Sequence, residues 1–169
     1  ASNLISSFKQ VAVDQTSEAE REVNVSEYLT EVVQSLAPNF KKTQHTIDIH
    51  CPDNLSITCA PGVLAQIVTN MIMNSLIHGF EGRVKGAIKL EISEQNNNLV
   101  MNYSDDGRGL DEETLERHFD VFFTTRRGKG GSGLGTHIMY NLVTQTLGGI
   151  IEAFSKPGQG LQYIITIPV

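Results

Sequence analysis

Five of the 15 glycines fall within residues 128–135 (Gly128, Gly130, Gly131, Gly133 and Gly135), directly ahead of an apolar-periodic stretch. Two more sit in Asp105-Asp106-Gly107-Arg108-Gly109. Glycine loses more backbone freedom on folding than any other residue, so a cluster this dense needs a reason. A flexible surface loop is one. Backbone that must approach a ligand closely, with the amides of a helix start aimed at an anion, is the other. Gly133 and Gly135 introduce a helix that begins near Leu134, and this favours the second.

The remaining elements are read from periodicity. Residues 1–22 open with a helical stripe of Leu4, Ile5, Phe8 and Val11, and the polar stretch 14–24 reads as the end of that helix followed by a linker. A chain that starts in mid-helix is expected to be cut from something longer. Ser26 can cap a helix through about Phe40, with Tyr28, Leu29, Val32, Val33 and Leu36 turned inward. Short strands are predicted near 45–51 and 55–59, then a helix from Pro61 to about His78. Strands over 88–93 and 99–103 alternate around an Asn96-Asn97-Asn98 turn. A short helix at 112–118, a longer one at 134–147 and strands near 149–154 and 161–167 complete the chain. This mixed order, antiparallel toward the end, predicts an α+β fold rather than a βαβαβ series.

Composition narrows the function. Forty per cent of the residues are hydrophobic, enough for a sizeable core. With 13 Lys and Arg against 19 Asp and Glu, the net charge is -6, and no broad basic face for nucleic acid can be built. No apolar run approaches the roughly 18 residues that cross a bilayer, and no signal peptide opens the chain. A cytoplasmic domain is expected, with Cys51 and Cys59 as reduced thiols.

A P-loop is excluded, because no G-x-x-x-x-G-K-[ST] occurs. Residues 128–133, GKGGSG, do match the dinucleotide fingerprint G-x-G-x-x-G, with a possible strand at Val121–Thr125 and Glu152 about 20 residues on. Against it, Arg126 and Arg127 stand where the fingerprint wants a tight turn, and Thr125-Arg126-Arg127 is polar where a central parallel strand is apolar. It also leaves two features unexplained. Asn70, Asn74 and His78, four residues apart, share one helix face, opposite a core face of Leu64, Ile67, Val68, Met71, Ile72 and Ile77. The stripe is either an exposed polar face or a site offering carboxamide oxygens to a hard cation and an imidazole beyond. Asp105, at a strand end before Gly107 and Gly109, is either a plain turn or an acceptor for a ring amino group.

Taken together and in order, LAQIVTNMIMNSLIHGF, DDGRGL, HFDVFFTTRRGKG and GGSGLGTHIMYNLV resemble four boxes of the ATP-binding catalytic domain of sensor histidine kinases. These are the asparagine box, the first glycine box, the phenylalanine box with its lid, and the second glycine box. The superfamily also holds gyrase B, heat-shock chaperone and mismatch-repair ATPases. The resemblance spans about 25–168, and residues 1–22 resemble the end of the dimerisation helix that precedes such domains. It implies a two-layer α/β sandwich: a mixed, mostly antiparallel sheet with helices on one face and ATP between helices and lid. A dimerisation tail and linker at 1–22 and the catalytic domain at 23–169 follow.

By the same resemblance, Asn74 coordinates the magnesium that bridges the ATP phosphates, Asn70 lies one turn earlier near the phosphates, and His78 stands by the phosphate tail. Asp105 accepts from the adenine amino group, while Gly107 and Gly109 let the ring pack closely. The lid spans about 119–132, with Phe122 beside the nucleotide and Arg126, Arg127 or Lys129 available to the outer phosphates. Gly131, Gly133, Leu134, Gly135 and Thr136 bring helix amides to the phosphates. Thr136 stands where Leu is commoner, and Leu161 where Thr is commoner.

Relatives that hydrolyse ATP efficiently carry Glu at the position of Asn70. A carboxylate can deprotonate water or a hydroxyl and a carboxamide cannot, whereas neutral imidazole already presents a lone pair. The residue therefore fits phosphotransfer to histidine. The acceptor motif, roughly His-[Glu/Asp]-x-x-x-Pro, is absent: His45, His50, His78, His118 and His137 are followed by Thr, Cys, Gly, Phe and Ile. His45 and His50 read as surface residues, and His118 and His137 as fold or lid residues. The implied partners are a dimerisation domain bearing the acceptor, in a full-length homodimer, and a response regulator. This chain alone, with about three turns of apolar helix ahead of the domain, is expected to be mainly monomeric. A non-catalytic ATP-sensing module of the same fold is the alternative, with a dinucleotide-binding oxidoreductase behind it.

Overall fold

The computed structural model describes residues 19–120 and 134–169. Strict two-residue alternation builds its central layer. In β4 (Ala87–Gln95), Ile88, Leu90 and Ile92 are buried between exposed neighbours. In β5 (Asn98–Asp105) the buried set is Leu99, Met101, Tyr103 and Asp105, and in β7 (Leu161–Pro168) it is Leu161, Tyr163, Ile165 and Ile167. One face of each strand therefore meets the core. With β2 (Thr46–His50) and β6 (Ile150–Ser155) at the edges, the five strands run in the order β2-β4-β5-β7-β6. Every neighbouring pair is antiparallel except β2 and β4. Asn96 and Asn97, at φ 52° and 64°, make the β4–β5 turn; two left-handed residues match the twist of a tight hairpin, and asparagine tolerates them.

The helices cover the buried face of this sheet. The principal one, α3 (Pro61–Asn74), follows α1 (Val25–Ser35) and the single turn α2 (Ala37–Phe40) in the chain. The short α4 (Glu112–Glu116), capped by the Asp111 carboxylate on the Thr114 amide, precedes α5 (Leu134–Asn141). Leu64, Ile67, Val68, Met71 and Ile72 of α3 are all buried and share one core with the sheet, while Ile77 is half-buried. The fold is α+β, with a mostly antiparallel sheet, as its pattern predicts.

Several details differ from the sequence reading. Residues Arg21–Asn24, inside the expected linker, form β1, which pairs antiparallel with β3 (Ser56–Cys59) and buries Val23. One apolar side chain in a charged stretch gives no periodic signal. Asn24, not Ser26, caps α1: its Oδ1 accepts from the Glu27 amide at 3.0 Å while its Nδ2 donates to the Asp53 carbonyl at 2.8 Å. Helix α1 stops at Ser35 rather than Phe40, because Pro38 has no N–H to give and its ring would collide with the carbonyl of Gln34. Helices α3 and α5 also end in wider turns. Ser75–Gly79 and Leu142–Thr146 are π-helical, closed by Phe80 N–H to Ser75 C=O at 2.8 Å and Leu147 N–H to Leu142 C=O at 2.9 Å. Neither thiol is bridged; burial, then the Asp53 charge, pushes Cys51 up to about 11.

Candidate functional site

Three elements bring the polar residues of α3 to the ends of β5 and β7 and to the start of α5. At one end stands Asp105, the last residue of β5 and only 7% exposed. Its Oδ1 accepts from the Gly107 amide at 2.9 Å and the Leu161 amide at 3.2 Å. Its Oδ2 accepts from the Ser75 hydroxyl at 2.6 Å. Ser75 in turn lies 2.5 Å from the Tyr103 hydroxyl, which also donates to the Met71 carbonyl at 3.0 Å. The π turn begins at Ser75 and aims this hydroxyl at the strand end, a use of the wider turn often met at functional sites.

The glycines beside Asp105 are demanded first by the packing of the chain. A Cβ on Gly107 would lie 2.5 Å from the Gly79 carbonyl, so strand-end loop and π turn meet backbone to backbone. Gly109 has φ +70°, and a Cβ there would lie 2.1 Å from the Lys156 carbonyl. Gly79 itself sits over the carboxylate, its Cβ position 3.1 Å from Asp105 Oδ2.

Along α3 the stripe divides into separate tasks. Asn70 is engaged at both ends of its amide: Oδ1 accepts from Gln66 Nε2 at 2.8 Å, and Nδ2 donates to the Gly135 carbonyl at 2.9 Å. It ties α3 to the first turn of α5. Asn74 donates through Nδ2 to the Tyr163 hydroxyl at 3.2 Å. That hydroxyl also bonds His118 Nε2. His78, half-buried, occupies the π turn, close enough that its charge adds to the effect of burial in holding His118 down to about 4. Burial above all, then the Asp105 charge, raises the Tyr163 hydroxyl far above its usual range; burial does the same for Tyr103, so both remain protonated.

The beginning of α5 closes the arrangement. Thr136 is buried, Gly135 meets nothing within 4 Å of its Cβ position, and Leu134 is partly exposed. His137 donates from Nδ1 to the Phe119 carbonyl at 3.1 Å, and its Nε2 accepts from Asn141 Nδ2 at 3.2 Å. Phe119 packs on Tyr140 and Tyr163, with ring centroids 5.2 and 6.2 Å away. His118 and His137 are thus fold residues, as expected. His50 is exposed and bonds Asp48, but His45 is only half a surface residue: its ring packs against Phe80 at 4.6 Å. Phe122, Arg126, Arg127, Lys129, Gly131 and Gly133 lie outside the described residues.

These groups suit a nucleotide with its cation. A carboxylate offers about four acceptor directions, and Asp105 uses three, leaving one on Oδ2 for a ring amino group. Among the described residues no three His, Cys, Asp or Glu side chains group as a metal cage. A lone carboxamide oxygen beside phosphates is nevertheless what magnesium accepts, since it keeps most of its waters and shares phosphate ligands. Ser75, Gly79, Tyr103 and Tyr163 were not singled out by the sequence reading. Tyr103 and Tyr163 carry a usable signal: a tyrosine at a buried position of an otherwise aliphatic strand must find its hydroxyl a partner.

The chain thus sets an acceptor carboxylate at a strand end against an asparagine-bearing helix packed on one face of a mixed sheet. Residues 59–169 match the family of histidine kinase-, DNA gyrase B- and HSP90-like ATPases, and the chain belongs to that family. Its relatives are sensor kinases. It is 28% identical over 142 residues to the alginate biosynthesis sensor protein KinB of Pseudomonas aeruginosa, covering 83% of this chain and 23% of that protein. It is 33% identical over 135 residues to the autoinducer 2 sensor kinase/phosphatase LuxQ of Vibrio parahaemolyticus, covering 76% of this chain and 16% of that one. The chain thus spans less than a quarter of the length of these relatives. In fold it is similar to the catalytic domain of histidine kinase ThkA, with a TM-score of 0.76 at 23% identity over 89% of this chain and 97% of that one. Full-length ShkA, solved with AMPPNP, gives 0.75 at 22% identity over 98% and 34%. Among the described residues no helix is long and apolar enough to cross a membrane.

Proposed function

We propose that the chain is the ATP-binding catalytic domain of a sensor histidine kinase, passing the γ-phosphate of ATP to a histidine on a dimerisation domain for relay to a response regulator. The observation that carries the reading is the placement of Asp105 and Asn74 along one helix-lined site: Asn74 stands just ahead of the π turn, and Ser75, its first residue, bonds the Asp105 carboxylate. Residues ahead of β1 would be the dimerisation-helix end and linker. A cytoplasmic setting follows from that signalling role.

In this reading Asp105 holds the adenine amino group through the remaining direction on Oδ2. Asn74 offers its amide oxygen to magnesium, which when bound neutralises phosphate charge. Asn70 holds the first turn of α5 through the Gly135 carbonyl, which orients the amides of that turn toward the phosphates. His78 stands near the phosphate tail, and Arg126, Arg127 or Lys129 would meet the outer phosphates. Gly131, Gly133, Leu134 and Thr136 complete the phosphate-binding backbone, with Phe122 beside the nucleotide. No carboxylate replaces Asn70, so no side chain there can deprotonate water, and an acceptor that brings its own lone pair suits the site.

The test is Asn74→Ala. Calorimetry should find ATP binding in EDTA within about twofold of the parent, while the gain on adding magnesium is lost, because the adenine end is untouched. Full magnesium-dependent binding in the variant would remove Asn74 from the cation site.

A further inference from the structure

Asn74 can meet a cation only through its amide oxygen, yet a carboxamide can turn end for end, and a solvated one has little reason to prefer either orientation. Here the orientation has a cause. Nδ2 faces the Tyr163 hydroxyl at 3.2 Å, and that hydroxyl also bonds His118 Nε2. Tyr163 has one proton. If its oxygen accepts from Asn74, the proton must go to His118, whose Nε2 must then carry a lone pair. Neutral His118 meets this requirement as the Nδ1–H tautomer: it is 8% exposed, stacked on Tyr163 with ring centroids 5.6 Å apart, and burial keeps it uncharged. The three side chains come from α3, β7 and the segment after α4, so nothing in local sequence joins them.

We propose that Tyr163 and His118 are positioning residues that set the polarity of the Asn74 amide, keeping its oxygen toward the cation. This rests on Asn74 being the magnesium ligand. His118 acts as the terminal acceptor, and Tyr163 passes the direction on. The relay also ties the cation ligand to Phe119, which follows His118 and packs on the same tyrosine.

The polarity makes an unusual set of expectations. In His118→Leu the hydroxyl proton of Tyr163 has lost its acceptor, and the best one within reach is Asn74 Oδ1. The amide then turns, presenting N–H to the cation. In Tyr163→Phe the amide is merely released. The measured quantity is the ratio of ATP affinity with magnesium to that in EDTA, by calorimetry on the 169-residue chain. Tyr163→Phe should lower this ratio about threefold, a single neutral hydrogen bond's worth. His118→Leu should lower it as far as Asn74→Ala. The double variant should return to the level of Tyr163→Phe, since no hydroxyl remains to drive the turn. His118→Gln, which keeps an acceptor, should hold near the parent ratio. A purely structural role would make the double variant worse than either single one, and that result overturns the proposal.

A metal-free readout separates this from the cation assignment. In 15N NMR of the protein in EDTA, the Asn74 side-chain amide should show one slowly exchanging proton, bonded to Tyr163, which disappears in both single variants. An amide that is fully exchange-labile in the parent, or unaltered by Tyr163→Phe, overturns the relay. If the NMR behaves as expected but Asn74→Ala leaves the magnesium ratio unchanged, the cation assignment has failed, and the inference that the relay serves a cation falls with it.

Discussion

The carboxylate of Asp105 is held by two backbone amides on one oxygen and by Ser75 on the other, with a single acceptor direction left. Replacing it by Asn keeps the first oxygen if the new NH2 faces Ser75, which can then accept and pass its own proton toward Tyr103. The protein loses little, but the remaining direction changes from acceptor to donor and, in the proposed nucleotide pose, confronts the adenine amino group. Asp105→Asn should therefore weaken ATP by about 1.5–3 kcal/mol, the range for a lost hydrogen bond to a charged partner, with a melting temperature close to the parent. Calorimetry and a thermal melt together check this. An unchanged nucleotide affinity would place the adenine elsewhere. Asp105 was legible because its chemistry sits beside glycines in the chain. Ser75 was not, because a serine in a helix is usually incidental, and only the strand brought beside it gives the hydroxyl a task.

At the scale of elements, the strands were the clearest part of the sequence and the helix ends the least. Alternation in β4, β5 and β7 names their buried faces without any structure. The π turns carry no such signature, since Ser75–Gly79 and Leu142–Thr146 have the composition of ordinary helix. Strand β1 was missed because its partner, β3, lies between 32 residues (Asn24 to Ser56) and 38 residues (Arg21 to Cys59) away and supplies the pairing that the local pattern lacks. The link between α3 and α5 gives a prediction at this scale. Asn70→Asp would set a carboxylate against the Gly135 carbonyl at what is now a 2.9 Å hydrogen bond. Two acceptors in contact should cost about 1–3 kcal/mol and release the first turn of α5. Urea denaturation should show the loss, and hydrogen exchange should show it concentrated in residues 134–138. An unchanged exchange pattern would mean that α5 is held by its apolar contacts alone.

For the molecule as a whole, His118 sets an acid limit. Its folded value of about 4 lies below the ordinary 6.5, so between these the unfolded chain binds a proton that the folded one does not. The contribution of this one group to stability is complete above pH 6.5 and falls by about 3 kcal/mol as the pH drops toward 4. The cause of the low value is burial first, with the His78 charge adding to it. Urea midpoints at pH 7.5 and 4.5 should differ less in His118→Leu than in the parent; an equal difference would assign the acid sensitivity to other groups. A second prediction concerns catalysis. With labelled ATP and magnesium the chain should form no acid-labile phosphoprotein, because none of its five histidines has the acceptor context. A separate dimerisation domain of matching origin should become labelled when added. The pair of tyrosines on the sheet sets a constraint of its own. Tyr103 and Tyr163 are direct partners across β5 and β7, about one strand spacing apart, and their hydroxyls engage Ser75 and Asn74, consecutive residues of one helix. One such peg would leave the helix free to pivot. Two remove that degree of freedom, so it can neither roll nor slide without parting a buried hydroxyl from its partner. The distance between the Asp105 end and the Asn74 end is therefore gauged by the sheet, as by a ruler, and not by any loop.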